Sequence, residues 1–361
     1  MKRNVSVILI ATVLLVLLVF TTACSSGAPS TTPAASKPAA STAAPVASTT
    51  AAAANAIHFK WVSTSALSPA NPGVADYLKS GFFERVTKMT NGQIVFDYVG
   101  ASETIATNDQ ALAVQNGVVD IASPYVSTYE SLVPGINAAI LSQYTAVEER
   151  ANGAFEALQG LHKTANLLYL GRPGASEAGT FYTFLNKQIN SQADFKGLRM
   201  GSGPSTSAIA PAWGATNTVL QATDYFTAMD SKMVDGLCGV PISNWGRQGG
   251  FAITKYVILP GYFMNSSATL MNMNSWNKLT SAQKDIFNQA MALEEKDDMV
   301  GTTADLNNYL QKAKDAGAQV VTFAPDLQKW YVQTTYDAVW AAQAKKYPDA
   351  TAKLKTLLSK P

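Results

Sequence analysis

A chain of 361 residues, divided by roughly 150 per domain, has room for about two domains once segments that do not fold are set aside. Hydrophobic residues make up 47% and charged residues 14%, which excludes disorder throughout and permits a sizeable core. Lys2, Arg3 and Lys37 are the basic residues before Ile57 and no acidic residue precedes it; taking these three from 27 leaves 24 basic against 25 acidic residues. A body with a net charge near −1 and no basic run excludes a nucleic-acid footprint.

The first segment reads as an address. Lys2 and Arg3 precede an apolar run from Val5 to Phe20 broken only by Ser6 and Thr12, then Thr21, Thr22, Ala23 and Cys24. The run is short for a membrane span, so residues 1–23 are expected to be a secretory signal peptide. Its end resembles a bacterial lipobox, with Thr21 where that motif usually has Leu; the resemblance implies cleavage before Cys24 and lipidation of its thiol. A retained anchor helix and an ordinary signal peptide are the alternatives, and each places the body outside the cytoplasmic membrane. Residues 24–56 are mostly Ala, Ser, Thr and Pro, too poor in apolar area to repay ordering, and are expected to form a flexible tether.

From Ile57 the pattern alternates between helix and strand. A first strand holds His58. Val74, Leu78, Phe82 and Val86 recur at helical spacing, and Asn91-Gly92 turns the chain into an alternating strand from Gln93 to Tyr98. Gln110 to Gln115 reads as a helix closed by Asn116-Gly117, leading to the apolar run Val118 to Ala122. Ala151 to Leu161 reads as a helix, Leu167 to Leu170 as a strand, Ser205 to Trp213 and Asp224 to Met233 as two helices, and Val234 to Val240 as a strand. Thr280 and Gln283 form a capping box for a helix running to Met299 and past Gly301 to Lys314. Alternation of this kind predicts α/β sheets, and so long a helix in a two-domain chain is expected to lie across both domains.

Catalytic signatures are lacking. There is no His-Glu-x-x-His, no Gly-x-Ser-x-Gly and no Gly-x-x-x-x-Gly-Lys, and Gly201-Ser202-Gly203 lacks the third glycine of a dinucleotide fingerprint. Cys238, in Leu237-Cys238-Gly239-Val240, reads as a small buried strand residue rather than a nucleophile. His58 and His162 lie far apart and read as structural, and neither they nor the cysteines have metal-ligand spacing. No enzyme activity, metal or cofactor is expected.

Three stretches resemble the substrate-binding proteins of TRAP transporters, the DctP type. These are Gly100-Ala101-Ser102 with Gln110-Ala111-Leu112 and Gln115 to Ala122; Ile189-Asn190-Ser191 with Ala193 to Met200; and Trp213-Gly214-Ala215 through Tyr225, Ala228 and Met229 to Val234-Asp235-Gly236. Tyr256 to Tyr262 and Leu270 to Leu279 follow in the family's order, so the similarity covers about 300 residues from Ile57. It implies a two-lobe periplasmic-binding-protein (Venus flytrap) architecture with a long helix spanning both lobes. Lobe I is then expected over 57–177 plus 266–303, and lobe II over 178–265 plus 304–361. The implied role is an extracytoplasmic lipoprotein that closes on a small molecule, usually an organic acid, and delivers it to membrane permease subunits. A ligand-sensing lipoprotein that signals to a membrane partner is the alternative from another class, and an enzyme reusing the fold is a third.

The binding residues depart from the family pattern. An arginine usually lies three residues after the Gly-Leu of Lys-Gly-Leu, where it pairs with a ligand carboxylate; here that position is Gly201. An asparagine usually follows Asp-Gly by three, here Gly239, and a second arginine becomes Phe181. The family alignment adds Tyr125 and Tyr262 to the cleft, with Trp245 in the loop Ser243-Asn244-Trp245-Gly246-Arg247. Three anchors stay open. Arg199 shares a strand face with Gly201, and Arg172 and Arg247 are further cations. The backbone from Gly201 and Ser202 to Ser207 precedes a helix and could bind an anion. A neutral or aromatic ligand could stack on Trp245 and the tyrosines.

Overall fold

The computed structural model describes residues 55–67, 74–173, 180–264 and 267–360. The signal segment, Cys24 and all but the last two tether residues lie outside the described residues. The first lobe opens with β1 (Ile57–Val62) and α1 (Val74–Leu78), which continues through a π-turn (Lys79–Phe83) into α2 (Glu84–Met89). Then come β2 (Ile94–Gly100), α3 (Gln110–Gln115), β3 (Ile121–Ala122), α4 (Ala146–Asn152), α5 (Ala154–Lys163) and β4 (Leu167–Gly171). The second lobe holds β5 (Phe181–Leu185), β6 (Arg199–Ser202), α6 (Ile209–Ala212), β7 (Thr216–Val219), α7 (Tyr225–Asp230), β8 (Gly236–Pro241), α8 (Ile242–Arg247) and β9 (Tyr256–Leu259). The chain returns through β10 (Thr269–Asn272) and α9 (Met273–Asn277), then adds α10 (Ser281–Asp315), β11 (Gln319–Thr322), α11 (Pro325–Lys346) and α12 (Pro348–Leu358).

Two sheets result, ordered β2-β1-β3-β10-β4 and β11-β9-β5-β8-β6-β7. β1 runs parallel to β2 and β3, while β10, arriving from the other lobe, is antiparallel to β3 and β4. All five residues of β4 and of β5 are buried, as strands covered on both faces must be. Two of the segments that connect the lobes pair with each other: Thr180 bridges Met264, the Phe181 amide donates to Phe263 O at 2.8 Å, and the Tyr262 amide donates to Phe181 O at 3.0 Å.

α10 crosses both lobes, as expected from its length. Its box is formed, with the Gln283 amide donating to Thr280 Oγ1 (3.3 Å) and the Thr280 amide to Gln283 Oε1 (3.0 Å). Phe287, Ala290 and Met291 enter the cluster under the first sheet with Phe59, Trp61, Leu168 and Met271. Leu306, Tyr309, Leu310 and Ala313 enter the cluster of the second lobe with Phe184, Leu237 and Trp245. The helix thus changes the neighbour it serves along its length rather than keeping one core.

The helix expected over Ala151 to Leu161 is two, because Gly153 takes φ 87° and ends α4. The two helices expected before β8 shrink to α6, preceded by the turn Pro204–Thr206, and to α7. α11 lies against α6 of the second lobe and the turn Ile136–Leu141 of the first, and α12 packs on α4, α5 and the same turn. One apolar cluster therefore runs from Leu167 and Leu270 of the first sheet through Tyr331 and Val339 to Phe181, Met200 and Cys238 of the second.

Candidate functional site

The crossing between the lobes brings together part of the expected constellation. Tyr262 leads the returning segment and is buried; its hydroxyl accepts from the Gly239 amide at 2.7 Å and shares a hydrogen bond of 3.0 Å with Thr183 Oγ1. The Tyr331 hydroxyl donates to the same Thr183 oxygen at 2.8 Å. Around this relay, Trp213, Phe263 and Tyr331 stand edge-on to the Tyr262 ring at 6.5, 5.1 and 5.7 Å. Phe181 is buried beside it, edge-on to Phe263 at 6.3 Å. Tyr125, half-buried, bridges Ser267 on the same returning segment, and the Ala268 amide donates to Pro124 O at 3.0 Å. Burial drives the Tyr262 and Tyr331 phenols far above their ordinary value, so both remain neutral donors.

Two glycines occupy positions with no room for a side chain. Gly239 has φ +72°, and a Cβ there would meet Thr206 Cγ2 and Cβ at 2.5 and 2.6 Å. The place an asparagine side chain would fill belongs to Thr206, and the backbone amide is served by Tyr262. A Cβ on Gly201 would meet Leu220 Cδ1 at 2.7 Å and Leu237 Cδ2 at 2.9 Å, inside the second lobe's apolar cluster. Leu220 and Leu237 fill the space an arginine would need.

The expected cations lie elsewhere. Arg199 is half-exposed and forks onto Asp235, with Nη2 to Oδ1 at 3.0 Å and Nε to Oδ2 at 3.2 Å, and Lys187 joins at 3.2 Å. The Arg199 hydrogen bonds hold the Asp235 carboxyl down at about 2, so the guanidinium is already committed to a carboxylate that is itself buried. Arg172 is fully buried, but it points at Glu149 (Nη2 to Oε1, 2.6 Å) and at Tyr144 O (3.2 Å). Its amide donates to Glu295 Oε1 at 2.7 Å, and Arg150 binds the same carboxylate through Nε, so two arginines and two glutamates form one balanced network at the end of β4. Arg247 is exposed and donates to Asn244 Oδ1.

Trp245, expected on the cleft wall, is instead inside the second lobe. It is fully buried, its Nε1 donates to Thr254 Oγ1 at 2.8 Å, and Phe184 lies 5.7 Å from its ring. α8 packs on β8 and α10, and the indole faces the apolar cluster of that lobe with Leu237, Phe226 and Phe251. Ser202 is buried with Oγ donating to Asn217 Oδ1 at 2.8 Å. Two of the amides after it are spent within the turn, Thr206 N on Gly203 O (3.2 Å) and Ser207 N on Pro204 O (3.5 Å), and the helix that follows has four residues.

Thr183 and Tyr331 escaped the reading of the sequence, while Trp213 entered it only as a helix end and part of a family motif and Thr206 only as backbone before a helix. For Tyr331 a signal was present: Leu327, Tyr331, Thr335 and Val339 recur every four residues and all are buried. Cys238 and His162 are held by burial in their neutral forms, whereas His58 is exposed with Nδ1 3.0 Å from Asp97 Oδ2. The Cys238 thiol is pushed up to about 12, and His162 is pushed down to about 4 while its Nδ1–H donates to Leu158 O and its Nε2 accepts from the Tyr129 hydroxyl. Among the described residues, no three His, Cys, Asp or Glu stand close enough to hold a metal ion.

Two α/β lobes joined by paired crossing segments, with aromatic and hydroxyl groups collected at the crossing, define a two-lobed solute receptor. The chain belongs to the DctP family of bacterial extracellular solute-binding proteins, family 7, whose model matches residues 65–346. It is 24% identical over 269 residues to the monocarboxylate 2-oxoacid-binding periplasmic protein of Nostoc sp., covering 70% of this chain and 71% of that protein. A TRAP periplasmic solute-binding protein of Marinobacter aquaeolei in an apo open structure superposes with TM-score 0.72 at 15% identity, over 84% of this chain and 100% of that one. One of Desulfovibrio salexigens with bound orotic acid superposes with TM-score 0.69 at 17% identity, over 83% and 97%. Among the described residues no helix is long and apolar enough to cross a membrane.

Proposed function

We propose that this receptor is tethered outside the cytoplasmic membrane through a lipid on Cys24, captures a small organic acid between its lobes and hands it to TRAP-type permease subunits. Family membership supports the class of role, and the relatives above bind 2-oxoacids and orotic acid by their names. The lobes of this reading are 57–177 plus 266–303 and 178–265 plus 304–361, with α12 reassigned to the first lobe because it packs there.

The observation that carries the ligand chemistry is the crowding at Gly201 and Gly239. A buried arginine clamp cannot be removed from a carboxylate site without leaving an unpaired charge, at a cost of roughly 3–5 kcal/mol. The ligand is therefore held by neutral donors and rings near Tyr125, Phe181 and Tyr262, which suits an aromatic or weakly charged acid. A thermal-shift screen of small acids, aromatics and polyols tests this. A ligand at 100 times its dissociation constant should add about 2.7 kcal/mol of stability, and aromatic acids should lead the hits. A screen led by aliphatic dicarboxylates would defeat it. For the anchor, mass spectrometry of membrane-extracted protein should find a diacylglyceryl-modified N-terminal Cys24, and Cys24→Ser should release the body, since it removes the two acyl chains that together hold it where one would bind only marginally.

A further inference from the structure

A second concavity lies on the first lobe, at the free edge of its sheet. The π-turn Lys79–Phe83 closes its hydrogen bonds one residue further along the chain than an α-helix does, and it presents two faces. On one, Gly81 lies against the Glu294 carboxylate of α10, which a side chain at Gly81 would overlap. On the other, Lys79 and Phe83 overhang β2 and border a recess of about 280 Å³. Trp61 and Phe83, both buried, form its floor, while half-buried Phe96 and Tyr98 form its sides. The rings are already in contact: Trp61 with Phe83 at 4.6 Å, Trp61 with Tyr98 at 4.6 Å, and Phe83 with Phe96 at 4.5 Å.

The rim carries charge. Lys88 pairs with Glu84 at 3.4 Å, both exposed, whereas Lys79 is exposed and makes no ion pair among the described residues. The recess thus joins an aromatic interior to a rim cation that has no ion-pair partner among the described residues. A dry cavity of about 150 Å³ holds benzene, so this one has room for a ring and a short side chain. We propose that the recess is a second small-molecule site, separate from the interlobe crossing, for an aromatic monocarboxylate the size of phenylpropionate. Its ring lies against Phe83 and Phe96 and its carboxylate reaches Lys79 at the rim.

The test is fluorine NMR of 3-(4-fluorophenyl)propionate titrated with the full chain, in parallel with the matching neutral alcohol. Saturable broadening is expected for the acid, with the alcohol about tenfold weaker. Lys79→Glu, an exposed change, should weaken the acid's binding in the recess about tenfold, and Thr87→Trp at the rim should fill the recess and remove that same component of binding, leaving any binding at the crossing. Equal melting temperatures certify the folds; if Thr87→Trp fails to fold, Lys79→Glu decides alone. Binding unaltered by Lys79→Glu would place the acid elsewhere, in the crossing for instance, and overturn the proposal. So would absence of saturable broadening up to about 5 mM probe.

Discussion

At the scale of single residues, side-chain direction decides what a substitution means. Gly201 and Arg199 share a strand face, yet Arg199 ends in solvent on Asp235 while the Cβ direction at Gly201 runs into Leu220 and Leu237. Gly201→Arg should therefore fail as a restored clamp: it buries a guanidinium without a partner and is expected to cost at least about 3 kcal/mol in chemical denaturation. A variant that melts like the parent and gains carboxylate affinity would contradict this placement. Glu294 supplies a second residue-scale prediction. Its side chain is buried against Gly81, with Arg85 Nη2 3.9 Å away on α2 and Asp297 and Asp298 on its own helix, and Oε2 has no hydrogen-bond partner. Burial, followed by repulsion from Asp298, raises its pKa from 4.5 to about 8. The folded state favours the protonated acid, so its stabilisation is complete below the ordinary value and is lost as pH rises from about 4.5 to about 8. Glu294→Gln should melt like the parent near pH 4.5 and several degrees higher at pH 8.5, at about 2–4 °C per kcal/mol. Parallel melting curves across that range would refute it.

At the scale of elements, legibility followed how local the determinant is. β2 showed its alternation and its Asn91-Gly92 turn, where both residues take positive φ (49° and 75°), and α10 showed its capping box. β5 and β9 passed unread because a strand buried on both faces has no period, and β7 because Thr216–Val219 is a short exposed edge. β10 depends on pairing with strands of residues 121–122 and 167–171, a separation no local pattern reports. The break between α4 and α5 turns on Gly153 at φ 87°, with Leu357 Cδ2 3.9 Å from a Cβ placed there. Because space is adequate, Gly153→Ala should cost only the backbone conformation, about 1 kcal/mol. A cost above about 3 kcal/mol would mean that packing, not φ, fixes the residue. In the candidate site, Phe181 and Tyr262 were legible from family register and do meet at the crossing, whereas Trp245 was misplaced because a loop tryptophan and a core tryptophan look alike until α8 covers the sheet.

At the scale of the whole molecule, the described residues join the lobes through the two paired segments around Thr180 and Met264, through α10, and through α11 with its continuation α12. The paired segments carry Phe181 and Tyr262, the residues proposed to meet ligand, so contact with ligand and the geometry of the hinge are coupled in the same few residues. A ligand can shift such an equilibrium only through contacts it makes better in one state, and the proposed function requires groups of both lobes to supply them in a closed one. Small-angle scattering with the leading hit of the thermal-shift screen at saturation measures this most directly. A smaller radius of gyration than without ligand is the expected result; a profile unchanged at saturation would contradict the account of a receptor that closes on its solute.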